Sequence, residues 1–331
     1  MEKSQQMKYS SSSRTDKGVS TCGLVVSLKL RMCDNAKDLI NQHLPPDIRV
    51  LDLRKATRSF HAKSYVDQRT YSYTMPTFAF DTNVSTDDIS TYRIDEEKLK
   101  SVRSYLYRYK GTHSFHNFTS GKRMGESSAK RYILDFWAET PFVHESVEFI
   151  TLKVKGQSFM IHQIRKMIGL VIVLVSGRAP EQHYVRAFSE PLEDIPKAPG
   201  IGLLLEQVHY DSYNKKHDNM LNWSSEDEQK EFMKTHILPI IFKEELENQS
   251  MLKWIESLSN HDFTGEKAKE QWNEFISQKQ KKEKHLNGNK SPVTAADNTI
   301  LSDDKNSSNI DNGSDSPQPA KKQKLDEEHT T

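Results

Sequence analysis

An acid set between two cations is the first place where this chain could do chemistry. Arg14-Thr15-Asp16-Lys17-Gly18 lies within a hydroxyl-rich run, with Ser11-Ser12-Ser13 before it and Ser20-Thr21 after it. The serines and the Lys-Gly pair suggest a phosphate loop, but the GxxxxGK[ST] order is absent, so no backbone cradle for nucleotide phosphates is expected. As local structure alone, Asp-Lys-Gly reads as a turn ahead of a strand. A second position of interest is Arg165, set among Ile161, Ile164, Ile168 and Ile172. An unpaired guanidinium is expensive in such company. The alternative is that it snorkels from the helix edge to solvent. The third feature is a mixture of cations and aromatics. Arg103, Arg108, Lys110, Lys122, Arg123, Lys130 and Arg131 interleave with Tyr105, Tyr107, Tyr109, Phe115, Phe118 and Tyr132, and Glu126 is the one acid between them. Cations neutralise phosphates and aromatic faces stack on unpaired bases, so the mixture suits RNA. A half-buried helix with solvated lysines has the same composition.

These residues need elements to hold them. Leu24, Val26, Leu28 and Leu30 alternate with polar neighbours and predict a half-buried strand. A short helix capped by Asp34 or Asn35 follows and is closed by Pro45-Pro46. Strands are expected around Ile48 to Leu53 and around Arg69 to Thr74. Leu99, Val102, Leu106 and Tyr109 have helical spacing after Asp95, and Glu148 to Lys155 alternates again until Gly156. From Ser158, Ile161, Ile164, Ile168, Val171, Ile172 and Val175 predict a helix whose second half is apolar nearly all round and so buried, with Gly177 as its stop. Leu203 to Tyr210 is a further strand. Glu226 to Leu258 predicts two helices burying Phe232, Ile237, Ile240, Ile241, Leu252, Ile255 and Leu258. From Ser277 large apolar residues almost vanish, so that stretch is expected to be disordered.

Composition narrows the class. Of 331 residues, 35% are hydrophobic and the mean hydropathy is −0.77, which fits a folded body with an unfolded tail. The formal charge of +1 conceals an asymmetry: residues 1–210 hold 30 Lys and Arg against 23 Asp and Glu, and the remainder holds 17 against 23. A basic body implies an anionic partner. Cys22 and Cys33 cannot build a disulfide framework, and with no CxxC pair a structural zinc site is not expected. A reducing, intracellular compartment is the default. The longest apolar run, Met167 to Val175, falls short of the roughly 18 to 20 residues needed to cross a bilayer. The N-terminus reads as neither signal nor transit peptide.

Arg14-Thr15-Asp16-Lys17-Gly18-Val19-Ser20 closely resembles the active-site motif of the TruA-type tRNA pseudouridine synthases. Four further segments resemble that family in the same order: Phe60-His61-Ala62-Lys63, then Arg69-Thr70-Tyr71-Ser72-Tyr73, then Gly111-Thr112-His113-Ser114-Phe115, then Gly156-Gln157-Ser158-Phe159 running through Ile161-His162-Gln163-Ile164-Arg165-Lys166-Met167-Ile168-Gly169. Ala198-Pro199-Gly200-Ile201-Gly202-Leu203-Leu204-Leu205 is similar to the closing motif, and Met75-Pro76-Thr77-Phe78-Ala79-Phe80 looks like the eukaryotic branch. The resemblance spans about Ser11 to Tyr210.

It implies an α+β fold in which two pseudo-symmetric RRM-like halves form one mixed, mainly antiparallel sheet around a basic cleft. In this family a strand-helix-strand segment with a Gly-Tyr-Ser-Gly-like turn precedes the motif. Here only Met1 to Ser13 stand before it, so an incomplete first half is expected. The corresponding division is 1–56 for that half, 57–210 for the second, 211–276 for a helical extension and 277–331 for a disordered tail. The resemblance makes Asp16 the catalytic residue, acting on a uridine flipped from its stack: the base leaves C1′, rotates and is rejoined through C5, with no cofactor and no metal. Arg165 is implied as the partner of Asp16, Tyr71 as the platform for the uracil, and Leu203 as packing beneath it. Arg14 is implied to hold the vacated position in the RNA. Lys17, Lys63, Arg69, Lys122, Arg123, Lys130 and Arg131 are expected to contact RNA, although Lys63 stands where many relatives have Arg. The expected partner is tRNA, with small nuclear RNA and mRNA as further substrates, and the chain is expected to be a monomer away from membranes. The alternative function is a catalytically inactive RNA-binding protein or tRNA chaperone of the same descent. Lys321, Lys322 and Lys324 resemble a basic nuclear-import signal, so the nucleus is the expected location, with cytoplasm or mitochondrion as alternatives.

Overall fold

The computed structural model describes residues 7–31, 33–82, 84, 88–223 and 225–288. By its contacts the chain divides into Met1–Gln280 and Lys281–Thr331. Of the second unit only the helical residues through Gly288 are described. In chain order the strands are β1 (Ser10–Ser11), β2 (Ser20–Thr21), β3 (Val26–Ser27), β4 (Gln68–Pro76), β5 (Gly111–Ser114), β6 (Lys130–Ala138), β7 (Phe142–His144), β8 (Val147–Gly156) and β9 (Leu203–His209). The α-helices are α1 (Ala36–Gln42), α2 (Glu96–Tyr107), α3 (Gln163–Val175), α4 (Glu181–Ser189), α5 (Asp211–Lys216), α6 (Glu226–Phe232), α7 (Leu238–Asn248), α8 (Ser250–Ser257) and α9 (Glu266–Gly288).

One sheet runs in the order β2-β9-β4-β8-β6-β5, with β7 added to β8. Among the described residues only β2 and β9 are parallel, so the sheet is mixed and mainly antiparallel, as expected. β4 lies at its centre. The register pairs Tyr71 with Leu205 and Tyr73 with Leu203, after a shift between Thr70 and Tyr71. A separate two-stranded ribbon joins β1 to β3.

Two helices pack this sheet. α2 begins where the Asp95 carboxylate accepts from the Lys98 N–H at 2.7 Å, an N-cap that satisfies one orphan donor. Its Leu99, Val102 and Leu106 enter the core. α3 buries every residue from Met167 to Leu174, and each large apolar side chain there is worth roughly 1.5–3 kcal/mol relative to exposure. Gly169 lets the 196–198 segment pass against the helix, since a Cβ there would stand 2.1 Å from the Pro196 carbonyl oxygen. Gly177, at φ +76°, ends the helix where the sequence places its stop.

Several expectations are corrected. The alternation from Leu24 to Leu30 yields only Val26–Ser27 as strand, because its partner β1 is itself two residues long. No strand forms over Ile48–Leu53. The Asn41 amide occupies the Val50 backbone on both sides, donating to its carbonyl at 2.9 Å and accepting from its N–H at 2.8 Å, as a neighbouring strand would have done. Ile161 precedes α3 and is 56% exposed. The two helices expected over Glu226–Leu258 are α6, a π turn at Met233–Ile237, α7 and α8, and Ile240 faces outward while Ile237 and Ile241 pack on Cys22 and Leu204. α9 continues past Ser277 to Gly288 where disorder was expected. The remainder of the tail, with Lys321, Lys322 and Lys324, lies outside the described residues.

Candidate active site

Three stretches of chain build one site. The first is the loop between β1 and β2. Gly18 takes φ +81° and the Val19 N–H donates to the Asp16 carbonyl at 3.1 Å, so the expected turn is present. The turn leaves the Asp16 carboxylate partly exposed and aimed at α3. Behind it, Ser12 is buried and tied to Val25 by two hydrogen bonds. Arg69 on β4 grips the same loop: Nε donates to Ser13 Oγ and Nη2 to the Ser12 carbonyl, each at 2.8 Å, and Nη1 reaches the Gln157 carbonyl at 3.3 Å. Arg69 was expected to contact RNA. All three guanidinium nitrogens engage protein acceptors, so the residue clasps the Asp16 loop to the segment leading to α3.

The second stretch is the start of α3. Arg165 Nη1 lies 3.7 Å from Asp16 Oδ2, with only 14% of its side chain exposed. Its Nε donates to the Ala198 carbonyl at 2.7 Å, while the Ala198 N–H donates to the Arg165 carbonyl at 3.2 Å. Gly200 closes over the guanidinium, which a Cβ at that position would meet at 3.5 Å. Of the two fates open to this arginine, pairing is the one realised, and the third stretch, Ala198–Leu203, sets its orientation.

His162 belongs to this group and was missed. Its Nε2 lies 3.8 Å from Asp16 Oδ2, the oxygen that Arg165 also approaches. Its backbone is left-handed, with φ 64° and ψ −6°. For a non-glycine residue that costs roughly 1–3 kcal/mol. Burial, followed by Lys197, pushes the imidazole below the usual histidine range, and Asp16 pulls it partly back. The sequence signal was its position three residues before Arg165.

Tyr71 and Leu203 stand beside this cluster. Tyr71 lies on β4 and Leu203 opens β9 on the adjacent strand, two ladder positions along the same face. Both are buried. The Tyr71 ring meets Phe159 edge-on at 5.4 Å, and Gly156 permits this because a Cβ there would sit 2.8 Å from the Phe159 ring. Burial raises the Tyr71 hydroxyl above the usual tyrosine range, Arg69 and a hydrogen bond with Ser13 lower it, and Asp16 adds to the rise. The hydroxyl therefore faces the Asp16 loop. Tyr73 donates to the Pro199 carbonyl at 2.8 Å and anchors the closing segment, and the Leu203 N–H donates to the Gly200 carbonyl at 3.1 Å.

The remaining expected RNA contacts divide. Arg14, Lys17, Lys63 and Lys130 are exposed. Lys122 is drawn to Glu126 and Ser128, Arg123 lies over the Phe275 ring of α9 at 5.6 Å, and Arg131 donates to the Ser128 and Lys130 carbonyls at 2.7 Å. These contacts fall within their own loop and on α9, apart from Asp16. The aromatic half of the basic segment is corrected: Tyr109, Phe115 and Phe118 are core residues with no exposed surface. Tyr107 and Tyr132 remain open, and Tyr107 lines a hollow of about 670 Å³ with Arg108, Lys110 and Phe188.

The carboxylate thus faces two nitrogen donors at ion-pair distance, with the Tyr71 hydroxyl near enough to feel its charge. Separations of 3.7 and 3.8 Å are ion-pair distances, longer than a direct hydrogen bond. Such a carboxylate can serve as a nucleophile or as a general base.

Residues 106–211 match a family model described as tRNA pseudouridine synthase. A mouse protein named pseudouridylate synthase 1 homolog is 47% identical over 266 residues, covering 78% of this chain and 63% of the mouse protein. The human protein of that name is 46% identical over 265 residues, covering 78% of this chain and 62% of its own. The tRNA pseudouridine synthase 1 of Saccharomyces cerevisiae is 30% identical over 282 residues, covering 61% and 52%. The chain spans less than two thirds of the length of these relatives.

Proposed function

Because the chain belongs to the TruA-type pseudouridine synthase family, we propose that it isomerises uridine in tRNA to pseudouridine. The observation that carries this reading is the Asp16–Arg165 pair, assembled from segments that lie far apart in the chain and held by the Ala198 carbonyl. A uridine flipped from its helix would lie against Tyr71 and Leu203, and contact with those side chains would offset its lost stacking. Asp16 acts at the sugar, either on C1′ or on a neighbouring proton. The bond from C1′ to N1 breaks, uracil turns within the pocket, and a bond from C1′ to C5 forms. The proton leaves C5 and N1 gains one, so product and substrate are isomers. Arg165 stabilises the carboxylate while it works and keeps it from swinging into solvent.

RNA binding rests on the exposed cations near the loop and on the positive excess before Tyr210. The nucleus is the location proposed from Lys321, Lys322 and Lys324, and replacing the three with alanine in a fluorescent fusion should redistribute it to the cytoplasm. The function itself is tested with tRNA carrying tritium at uracil C5. Wild-type protein releases tritium to water and Asp16→Ala releases none while still binding tRNA. Release that survives this substitution overturns the assignment.

A further inference from the structure

We propose that His162 is a positioning residue of this isomerisation, donating from Nε2 to Asp16 Oδ2 so that His162 and Arg165 share that oxygen and Oδ1 is the one presented to the nucleotide. The inference rests on the function proposed above and assigns a role within the same site. Three observations carry it. His162 Nε2 and Arg165 Nη1 both come nearest to the carboxylate at Oδ2, at 3.8 and 3.7 Å. Arg165 sits in the first turn of α3 and His162 is the residue directly before that helix, so the entry into α3 fixes both directions of approach. The His162 backbone is left-handed in front of that turn, with its carbonyl accepting from the Lys166 N–H at 3.0 Å as the helix begins. An unfavourable backbone at this position persists because the surrounding structure holds it, and what it achieves is to carry the ring toward Asp16.

The charges around the ring define what it can donate. Asp16 faces it from the loop between β1 and β2, Lys197 from the segment before Ala198, and Arg165 and Lys166 from α3. Burial first, then Lys197, Arg165 and Lys166, hold the imidazole below the usual histidine range against the pull of Asp16, which favours the neutral ring. A neutral ring protonated at Nε2 orients a carboxylate without adding a second full positive charge to it. The two neighbours therefore differ in kind: Arg165 supplies charge and His162 supplies direction. Protonating the ring would place two cations on one oxygen and draw electron density from the group that must react, so activity should fall in a one-proton step on acidification.

The test measures steady-state tritium release from C5-labelled tRNA between about pH 5 and 8 for wild type, His162→Gln and His162→Leu, with Asp16→Ala as the inactive control. Glutamine keeps a donor of similar reach and does not titrate. It should retain kcat within roughly fivefold near neutral pH and lose the acid step. Leucine should lower kcat roughly 10- to 100-fold with KM for tRNA nearly unchanged, the pattern of a misoriented group. A leucine variant within twofold of wild type, or a glutamine variant that keeps the acid step, overturns the proposal. If the leucine variant does not fold, the pH profile of the glutamine variant decides it. Absence of release by wild type at every pH instead overturns the function itself, and this inference with it.

Discussion

Arg69 Nε donates to Ser13 Oγ at 2.8 Å, three residues ahead of Asp16, so a strand residue and not the loop's own sequence fixes where the carboxylate stands. Replacing Arg69 with lysine keeps the charge but supplies one donor group where three nitrogens are engaged. The buried Ser12 loses the partner of its carbonyl. Arg69→Lys and Arg69→Ala should cost about 1–3 kcal/mol of stability and should lower kcat more than tRNA affinity. Urea unfolding and tritium release measure the two effects. A variant with normal kcat would show that the loop holds its shape unaided.

Gly169 couples the buried half of α3 to the active site. A Cβ there would meet the Pro196 carbonyl oxygen at 2.1 Å and the Ala198 nitrogen at 3.4 Å, and both are backbone atoms that cannot rotate away. Gly169→Ala should lower stability by about 1–3 kcal/mol despite the better helix propensity of alanine. It should also reduce kcat, because the segment pushed outward carries the carbonyl that Arg165 grips. Thermal unfolding and kcat, taken together, check both halves of the statement.

Glu245 on α7 gives a pH signature independent of catalysis. Burial pushes its carboxyl up to about 7, against the hydrogen bond from the Met251 N–H that lowers it. A folded-state value raised above that of the unfolded chain means that the folded state binds the extra proton. Its stabilising contribution is complete below about pH 4.5 and is lost as pH rises toward 7. Glu245→Gln retains an acceptor and removes the titration. Relative to wild type it should gain about 1–3 kcal/mol between pH 5 and pH 8. Unfolding midpoints at the two pH values measure this, and equal differences at both would contradict it.

The exposed cations predict a salt dependence. Arg14, Lys17, Lys63 and Lys130 are open to solvent, and each one that contacts a phosphate adds roughly 0.7–0.9 to the slope of log affinity against log salt. Replacing all four with alanine should flatten the slope for tRNA binding by about 2 to 3. Fluorescence anisotropy between about 50 and 200 mM salt reads it. An unchanged slope would remove these residues from the RNA path.

Local pattern carried much of this protein. The alternation before Gly156, the helical spacing after Asp95 and the apolar run closed by Gly177 each specify an element within one or two dozen residues, and β8, α2 and α3 form there. The ordered motifs named Asp16, Arg165, Tyr71 and Leu203 as one group; in the structure Arg165 approaches Asp16, and Tyr71 and Leu203 lie on the adjacent strands β4 and β9. What the sequence left open depends on partners far along the chain. Whether Val50 joins a sheet was decided by Asn41, and which acceptors Arg69 reaches was decided by Ser12, Ser13 and Gln157. The aromatic residues Tyr109, Phe115 and Phe118 satisfied an RNA-binding composition yet are worth more to the core, where burying an aromatic ring outweighs a stacking contact made only with a ligand. The shared approach of His162 and Arg165 to one oxygen of Asp16 is the clearest case. Periodicity encodes which face a side chain takes, but the atom it reaches follows from how distant segments pack and where a backbone is held left-handed, and that was decided by the tertiary structure alone.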